Sequence, residues 1–309
     1  MSADLSVRLG PLELANPLIA ASGTFGYGLE YAELIDVSRL GGVSVKGISL
    51  EPRPGNPPPR VCETPAGMLN SIGLANIGFE AFAEHTLPRL RELGVTVIVN
   101  TFGTSVDEFA ELASRFDALE GIAALELNIS CPNVAAGGMH FGTAPEPAAA
   151  VTRAAREQTS LPLIVKLSPE AASIVEVAAA AGEAGADVLS LINTLRGMSI
   201  DVETRRPRLG GVFGGLSGPA IRPLAVRMVY EVHQAVDTPL IGIGGIASLR
   251  DALEMILAGA SAFQVGTATY SDPTTVLRLV DELDAYCEQR GLTPAELVGG
   301  VDVPVNTST

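Results

Sequence analysis

Tryptophan is absent from the 309 residues, and aromatic side chains together make up only 5%. Cysteine is scarce: Cys62, Cys131 and Cys287 are the three, an odd number with no pair at CxxC spacing. That excludes reading a zinc site or an iron–sulfur cluster from one local motif, and it speaks against a disulfide framework. A reducing cytoplasm is the expected compartment. Positive charge is in short supply, with 20 Lys and Arg against 35 Asp and Glu, a net charge of −15. A nucleic acid or an anionic membrane surface is therefore not an expected partner. The start, MSADLSVRLGPLEL, lacks the basic-then-apolar order of a signal peptide. The apolar runs break at Gly, Asp or Glu well short of the roughly 18 residues that a membrane-spanning helix requires. What is abundant is aliphatic side chain: 47% of residues are apolar and 18% charged, which excludes a disordered chain. With 33 Gly and 21 Pro, many tight turns are expected, and residues 1–309 read as one domain.

Short apolar runs recur, each followed by a longer amphipathic stretch. The runs are Leu18–Ala21, Gly42–Val45, Val95–Val99, Ala123–Leu127, Leu161–Leu167, Val188–Ile192, Leu240–Ile243 and Ala262–Val265. They are rich in Val, Ile and Leu and read as apolar on both faces, the pattern of a buried parallel sheet. Helical periodicity is clear over Glu80–Leu93, Val106–Phe116, Pro145–Glu157, Ser173–Ala184, Ala220–Val236 and Leu249–Leu257. Eight such units predict an α/β fold, a TIM (β/α)8 barrel. Leu5–Leu14 predicts an N-terminal β-hairpin closing the barrel bottom, and Leu50–Asn76 and Arg196–Gly218 predict long βα-loop insertions. A doubly wound open sheet is the competitor, weakened by the lack of a Gly-rich dinucleotide turn after the first run.

Barrel chemistry sits at the C-terminal strand ends. Here those ends are polar: Ser22-Gly23, Lys46-Gly47, Asn100, Asn128 followed by Ser130-Cys131-Pro132-Asn133, Lys166, Asn193-Thr194, Gly244-Gly245 and Gly266-Thr267. One lysine or asparagine at a strand end is ordinarily a solvated loop start. Three amides and two lysines converging from five strands would be expensive without a ligand to satisfy them. Gly244, Gly245, Gly266 and Thr267 follow strands seven and eight, where barrels often bind phosphate through backbone N–H groups; Gly218 could add another donor. Cys131 sits among polar residues, unlike a structural cysteine, and precedes a Gly-rich stretch, AAGGMHFG, that could close as a lid. Cys62, Cys287, His85, His233 and His140 read as ordinary packing, helix or loop residues. No metal site is expected, and HExxH, P-loop and Ser–His–Asp patterns are missing.

Several strings together resemble the dihydroorotate dehydrogenases, flavin enzymes of pyrimidine synthesis. They are ASGTFGYG, KG followed by RPGNPPPR, GMLNSIGL, ELNISCPN, LPLIVKLSP, INTLRG, GGLSGPAI, IGIGGI and VGTA, spread over residues 21–268. Dihydrouridine synthases and part of dihydropyrimidine dehydrogenase share barrel and flavin but lack this full set. A cysteine within NISCPN marks the soluble class. INTLRG, GGLSGPAI and GGMHFG look like the NAD-linked subtype.

The resemblance implies that FMN oxidises (S)-dihydroorotate to orotate, with Cys131 as general base. It implies substrate contacts from Lys46, Asn70, Ser71, Ile72, Gly73, Leu74, Asn128, Asn133, Asn193 and Thr194. FMN contacts are implied for Ser22, Lys46, Gly47, Asn100, Asn128, Lys166, Ile192, Gly218, Gly244, Gly245, Gly266 and Thr267. It further implies a homodimer core joined to an electron-transfer subunit carrying FAD and a [2Fe–2S] cluster, a heterotetramer that passes electrons to NAD. A fumarate-using homodimer is the alternative within the family. A non-catalytic flavin-binding barrel and a flavin-free phosphate-binding isomerase or synthase are the alternatives outside it. Two departures from the family pattern stand out: Thr101-Phe102 after Asn100, and Gly47-Ile48 after Lys46.

Overall fold

The apolar runs form parallel strands at Leu18–Ala20, Gly42–Ser44, Val97–Thr101, Ala124–Asn128, Leu163–Lys166, Val188–Leu191, Leu240–Ile243 and Ala260–Val265. In a computed structural model describing residues 3–129 and 141–304, these strands pair in chain order and close into a barrel. They are numbered one to eight below.

Helices follow strands two to eight: Gly78–Glu92 in three segments, Val106–Asp117, Pro145–Arg156, Ile174–Glu183, Arg222–His233, Leu249–Leu257 and Thr275–Arg290. Val106–Asp117 shows why they form. Ser105 accepts from the Glu108 amide as N-cap, and Phe109, Leu112, Ala113 and Phe116 make one buried stripe at helical spacing. The stretch expected as one helix over 80–93 is widened to a π-turn at Phe82–Thr86. Pro88 follows closely; it has no N–H to donate and its ring crowds the carbonyl four residues back.

The expected eighth helix, after strand one, is replaced among the described residues by the 3-10 turn Val37–Arg39. Gly23, Gly26 and Gly28 there all have positive φ, which an α-helix does not admit. Phe25 stacked on Tyr31, centroids 3.9 Å apart, fills the space instead.

The hairpin is present as Val7–Leu9 and Leu12–Leu14, turning at Gly10. Its alternation buries Val7, Leu9, Leu12 and Leu14 against Ile19, Ile98, Ala124, Ile164, Val188, Ile241 and Ala262, the lowest inward-facing residues of the barrel. The floor is thus an aliphatic plug.

The layer above it corrects the expectation of strands apolar on both faces. Ser44, Asn100, Glu126, Ser190 and Gln264 are buried there, and the other four each donate a hydrogen bond to the Glu126 carboxylate across the barrel interior.

The two insertions, read from sequence as loops, pair with each other. Val61–Thr64, Gly67–Asn70, Gly214–Ser217 and Leu195–Gly197 form a four-stranded antiparallel sheet over the barrel mouth. Cys62, Leu69 and Leu209 make its small apolar seam. Glycine at 214, 215 and 218 hides its β-character in the sequence, but each is required: a methyl on Gly214, Gly215 or Gly218 would fall within 2.1–2.7 Å of a neighbouring strand or side chain. Among the described residues, no helix is long and apolar enough to cross a membrane.

Candidate active site at the barrel mouth

The sequence places Asn128 and Lys166 on adjacent strands, and the fold pairs them directly in register. Asn193 Nδ2 donates to Asn128 Oδ1 at 3.2 Å, and the Thr194 amide donates to Asn193 Oδ1 at 2.7 Å. Thr194 lies against Gly215, where an added methyl would meet its Oγ1 at 2.1 Å. Asn70 Nδ2 in turn donates to the Gly215 carbonyl at 3.3 Å. A run of amides therefore crosses the mouth from strand four, through the end of strand six, to the antiparallel sheet.

Ser71, Ile72, Gly73 and Leu74 continue from Asn70. Ser71 donates its amide to the Arg60 carbonyl at 2.7 Å, and the Asn56 amide donates to the Ile72 carbonyl at 3.0 Å. Gly73 and Leu74 both take the left-handed conformation, at φ 73° and 59°. The insertion is a built wall, positioned by its own backbone pairing.

Lys166 is 6% exposed, and its ammonium donates to Ser22 Oγ at a long 3.5 Å. Lys46 is half-buried, with its amide donating to the Gly26 carbonyl at 2.8 Å. Burial, then the nearby positive charge of Arg60, pulls the Lys46 pKa below the ordinary lysine value, while Glu30 partly opposes this. A positively charged mouth on so acidic a chain suits an anionic ligand. Ile192 is buried at the mouth, its amide donating to the Ile243 carbonyl at 3.0 Å.

The glycines gather on the opposite side. Gly218, Gly244 and Gly245 have φ of 95°, 134° and 75°. A methyl on Gly245 would lie 2.8 Å from the Gly218 carbonyl, and one on Gly218 would lie 2.7 Å from Gly67 Cα. Thr267, beside Gly266, donates to Ser217 Oγ at 2.8 Å. The backbone here is held by side chains that sequence reasoning passed over. Asp251 accepts from the amides of Ala247 and Ser248 at 3.0 and 2.9 Å and pairs with Arg222. The result is a backbone cradle beside two helix starts, the setting in which barrels hold phosphate.

Asn100 does not simply open toward the mouth as expected. Its Nδ2 donates to Glu126 Oε2 at 2.7 Å, while its Oδ1 is buried and has no hydrogen-bond partner. Glu126 is the principal residue missed from sequence. It is fully buried; burial pushes its pKa up, but the charge of Lys166 and donors from Asn100, Ser190 and Ser44 outweigh this and hold it below the ordinary value. The signal was present as a lone acid inside an otherwise apolar strand, ALELN.

The two departures noted in the sequence prove to be one packing arrangement. A methyl at Gly47 would sit 2.8 Å from Asn100 Oδ1 and 3.2 Å from Phe102 Cδ1. Phe102 fills the place that a larger residue at 47 would claim, and Arg53 covers its ring at 5.2 Å. Gly47→Ala should accordingly overpack this corner, destabilise the protein by about 1–3 kcal/mol and loosen cofactor retention. Denaturant unfolding with a flavin titration reads both; an unchanged midpoint and affinity would show the corner to be tolerant.

An orphaned buried acceptor on Asn100, a buried lysine with one long contact, and a glycine cradle fit a flat, phosphate-bearing cofactor such as FMN. Cys131 and Asn133 lie outside the described residues, as does His140. Among the described residues, no three His, Cys, Asp or Glu side chains group to hold a metal ion.

A family model for dihydroorotate dehydrogenase matches residues 4–286. A relative from Pelobacter propionicus, named dihydroorotate dehydrogenase B (NAD(+)), catalytic subunit, is 52% identical over 303 residues, covering 98% of this chain and all of its own. Proteins of the same name from Desulforudis audaxviator and Geobacter sulfurreducens are 55% and 52% identical, over 97% of this chain and 98% and 99% of theirs. With a matched span that takes in both the barrel and the sheet above it, the chain belongs to the dihydroorotate dehydrogenase family.

Proposed function

We propose that the chain is the catalytic subunit of an NAD-linked dihydroorotate dehydrogenase, oxidising (S)-dihydroorotate to orotate in pyrimidine synthesis. The observation that supports this is the run of linked amides from Asn70, Asn128 and Asn193, with Lys166 in register beside Asn128, next to the glycine cradle. Bound FMN supplies the acceptor for the hydride that leaves C6 of the substrate.

The chain's own residues do the rest. Cys131, as thiolate, removes the proton from C5 and becomes the thiol. Asn70, Asn128, Asn133 and Asn193, with Thr194, hold the planar ring, since each amide offers both a donor and an acceptor to an imide edge. Backbone groups of Ser71–Leu74 close one side. Lys46 faces the substrate carboxylate. Lys166 contributes a fixed positive charge where the cofactor ring becomes electron-rich. Gly218, Gly244, Gly245, Gly266 and Thr267 receive the phosphate, while Ser22, Gly47, Asn100 and Ile192 line the ring and its ribityl chain.

The subunit names of the relatives support a partner protein. In this reading a homodimer of the barrel binds a cytoplasmic electron-transfer subunit that holds FAD and a [2Fe–2S] cluster. An acceptor screen with NAD, fumarate and quinone, with and without the co-purified partner, tests it. NAD reduction that depends on the partner supports the reading, and fumarate turnover by the barrel alone overturns it.

The depressed Lys46 pKa sets an alkaline limit. Its charge is lost below the ordinary lysine value of 10.5, so orotate affinity falls as pH rises through that lowered value. Lys46→Met should weaken orotate at neutral pH and abolish the alkaline fall. An identical pH profile in the variant would remove Lys46 from the carboxylate site.

A further inference from the structure

Glu126 is a full charge in the barrel interior, 0% exposed, with the apolar plug below it. Isolated, such a charge costs several kcal/mol. Here the strands on every side answer it. Oε2 accepts from Ser44 Oγ at 2.8 Å and Asn100 Nδ2 at 2.7 Å; Oε1 accepts from Ser190 Oγ at 2.8 Å and Gln264 Nε2 at 2.9 Å. Those four donors come from strands two, three, six and eight and match the carboxylate's roughly four lone-pair positions.

Two mouth residues are constrained as a result. Asn100 has its amide nitrogen engaged, so the end left over is Oδ1, buried and partnerless. A flip of that amide would set oxygen against carboxylate oxygen. Lys166 stands two positions nearer the mouth than Ile164, the register partner of Glu126, and its charge acts on the carboxylate. Glu126 is 0% and Lys166 6% exposed, so bulk solvent screens their mutual field only weakly.

The geometry points to Glu126 as a positioning residue for the flavin site: it fixes Asn100 with its carbonyl oxygen free for the ring, and it offsets the charge that Lys166 presents there. An unopposed lysine would hold the reduced cofactor too strongly for electrons to move on. This inference rests on the reading that the mouth binds FMN.

Glu126→Gln tests it, because the shape is kept while the charge goes. Both serine hydroxyls can reverse, and Gln264 Oε1, which has no partner, can accept from the new amide after a flip. The holoenzyme is titrated for its flavin reduction potential, and the apoprotein for its affinity for oxidised and reduced FMN. The expected result is reduced FMN bound about tenfold more tightly relative to oxidised FMN, which for two electrons is about 30 mV upward. Ser44→Ala keeps the charge and strips one donor from it, so its potential should move the other way. It also carries the test if Glu126→Gln does not fold. A purely structural role for Glu126 would lower unfolding stability and leave the potential where it was, which would overturn the inference. Wild-type protein that takes up no FMN would overturn the functional reading itself; normal uptake with an unmoved potential in the variants overturns this inference alone.

Discussion

Cys131→Ala retains its flavin and oxidises dihydroorotate about two orders of magnitude more slowly or worse, the usual scale for loss of a general base. Two bonds to hydrogen break in the proposed reaction, and only one yields a hydride. The C5 proton needs a base at the substrate. Strand four ends in Asn128, already tied to Asn193 at 3.2 Å, and Cys131 follows three residues later. The phosphate cradle, Lys166 and Asn100 all belong to other strands, so FMN affinity should survive the substitution. An unperturbed thiol has a pKa of about 8.5, so wild-type turnover should climb with pH from neutral into the alkaline range. The residual activity of the variant should lose that climb. Steady-state rates across pH, paired with flavin content by absorbance, check both points. Near-normal turnover would refute the role.

Lys166→Ala has a double penalty. It removes the buried charge assigned to the cofactor ring and leaves the Glu126 carboxylate without its favourable ionic neighbour. Lys166 and Glu126 do not touch, so the loss of this longer-range attraction costs less than the about 3–5 kcal/mol of breaking a contacting buried pair. The four hydrogen bonds that remain on Glu126 should limit the cost further. The variant should therefore purify largely flavin-free and unfold at lower denaturant than wild-type apoprotein. Adding Glu126→Gln should recover part of the stability without recovering flavin. A fully loaded, fully active Lys166→Ala protein would contradict the assignment.

Periodicity made the barrel legible. Val, Ile and Leu runs at regular spacing placed all eight strands within a few residues, and the alternation in residues 5–14 disclosed the plug. Local exceptions were harder. The π-turn at Phe82–Thr86 and the missing helix after strand one depend on Pro88 and on glycines at positive φ, where single-residue effects override the helical pattern. The four-stranded sheet over the mouth joins segments about 150 residues apart, through strands carrying glycine where β-formers are usual, and no local signal announces such pairing.

At the site, strand-end polarity singled out Asn128, Lys166, Asn193 and Thr194, which the fold brings side by side. Asn100 apart, the polar layer beneath them was overlooked because its members are isolated in mostly apolar runs: Glu126 in ALELN, Gln264 in ASAFQV, Ser190 in VLSL. Only closure of the barrel brings Ser190 and Gln264 within 2.9 Å of the Glu126 carboxylate. Gly47 and Phe102, conspicuous separately as departures, make sense once they are seen to share one space.

The central claim is that this mouth holds FMN with a thiol set over the substrate. A crystal structure of the chain grown with FMN and orotate tests it most directly. The account predicts the flavin ring within hydrogen-bonding reach of Lys166 Nζ and Asn100 Oδ1, its phosphate on the backbone of Gly218, Gly245 and Thr267, and Cys131 Sγ facing C5 of orotate. A ring bound elsewhere, or a sulfur pointing away from the pyrimidine, would contradict it.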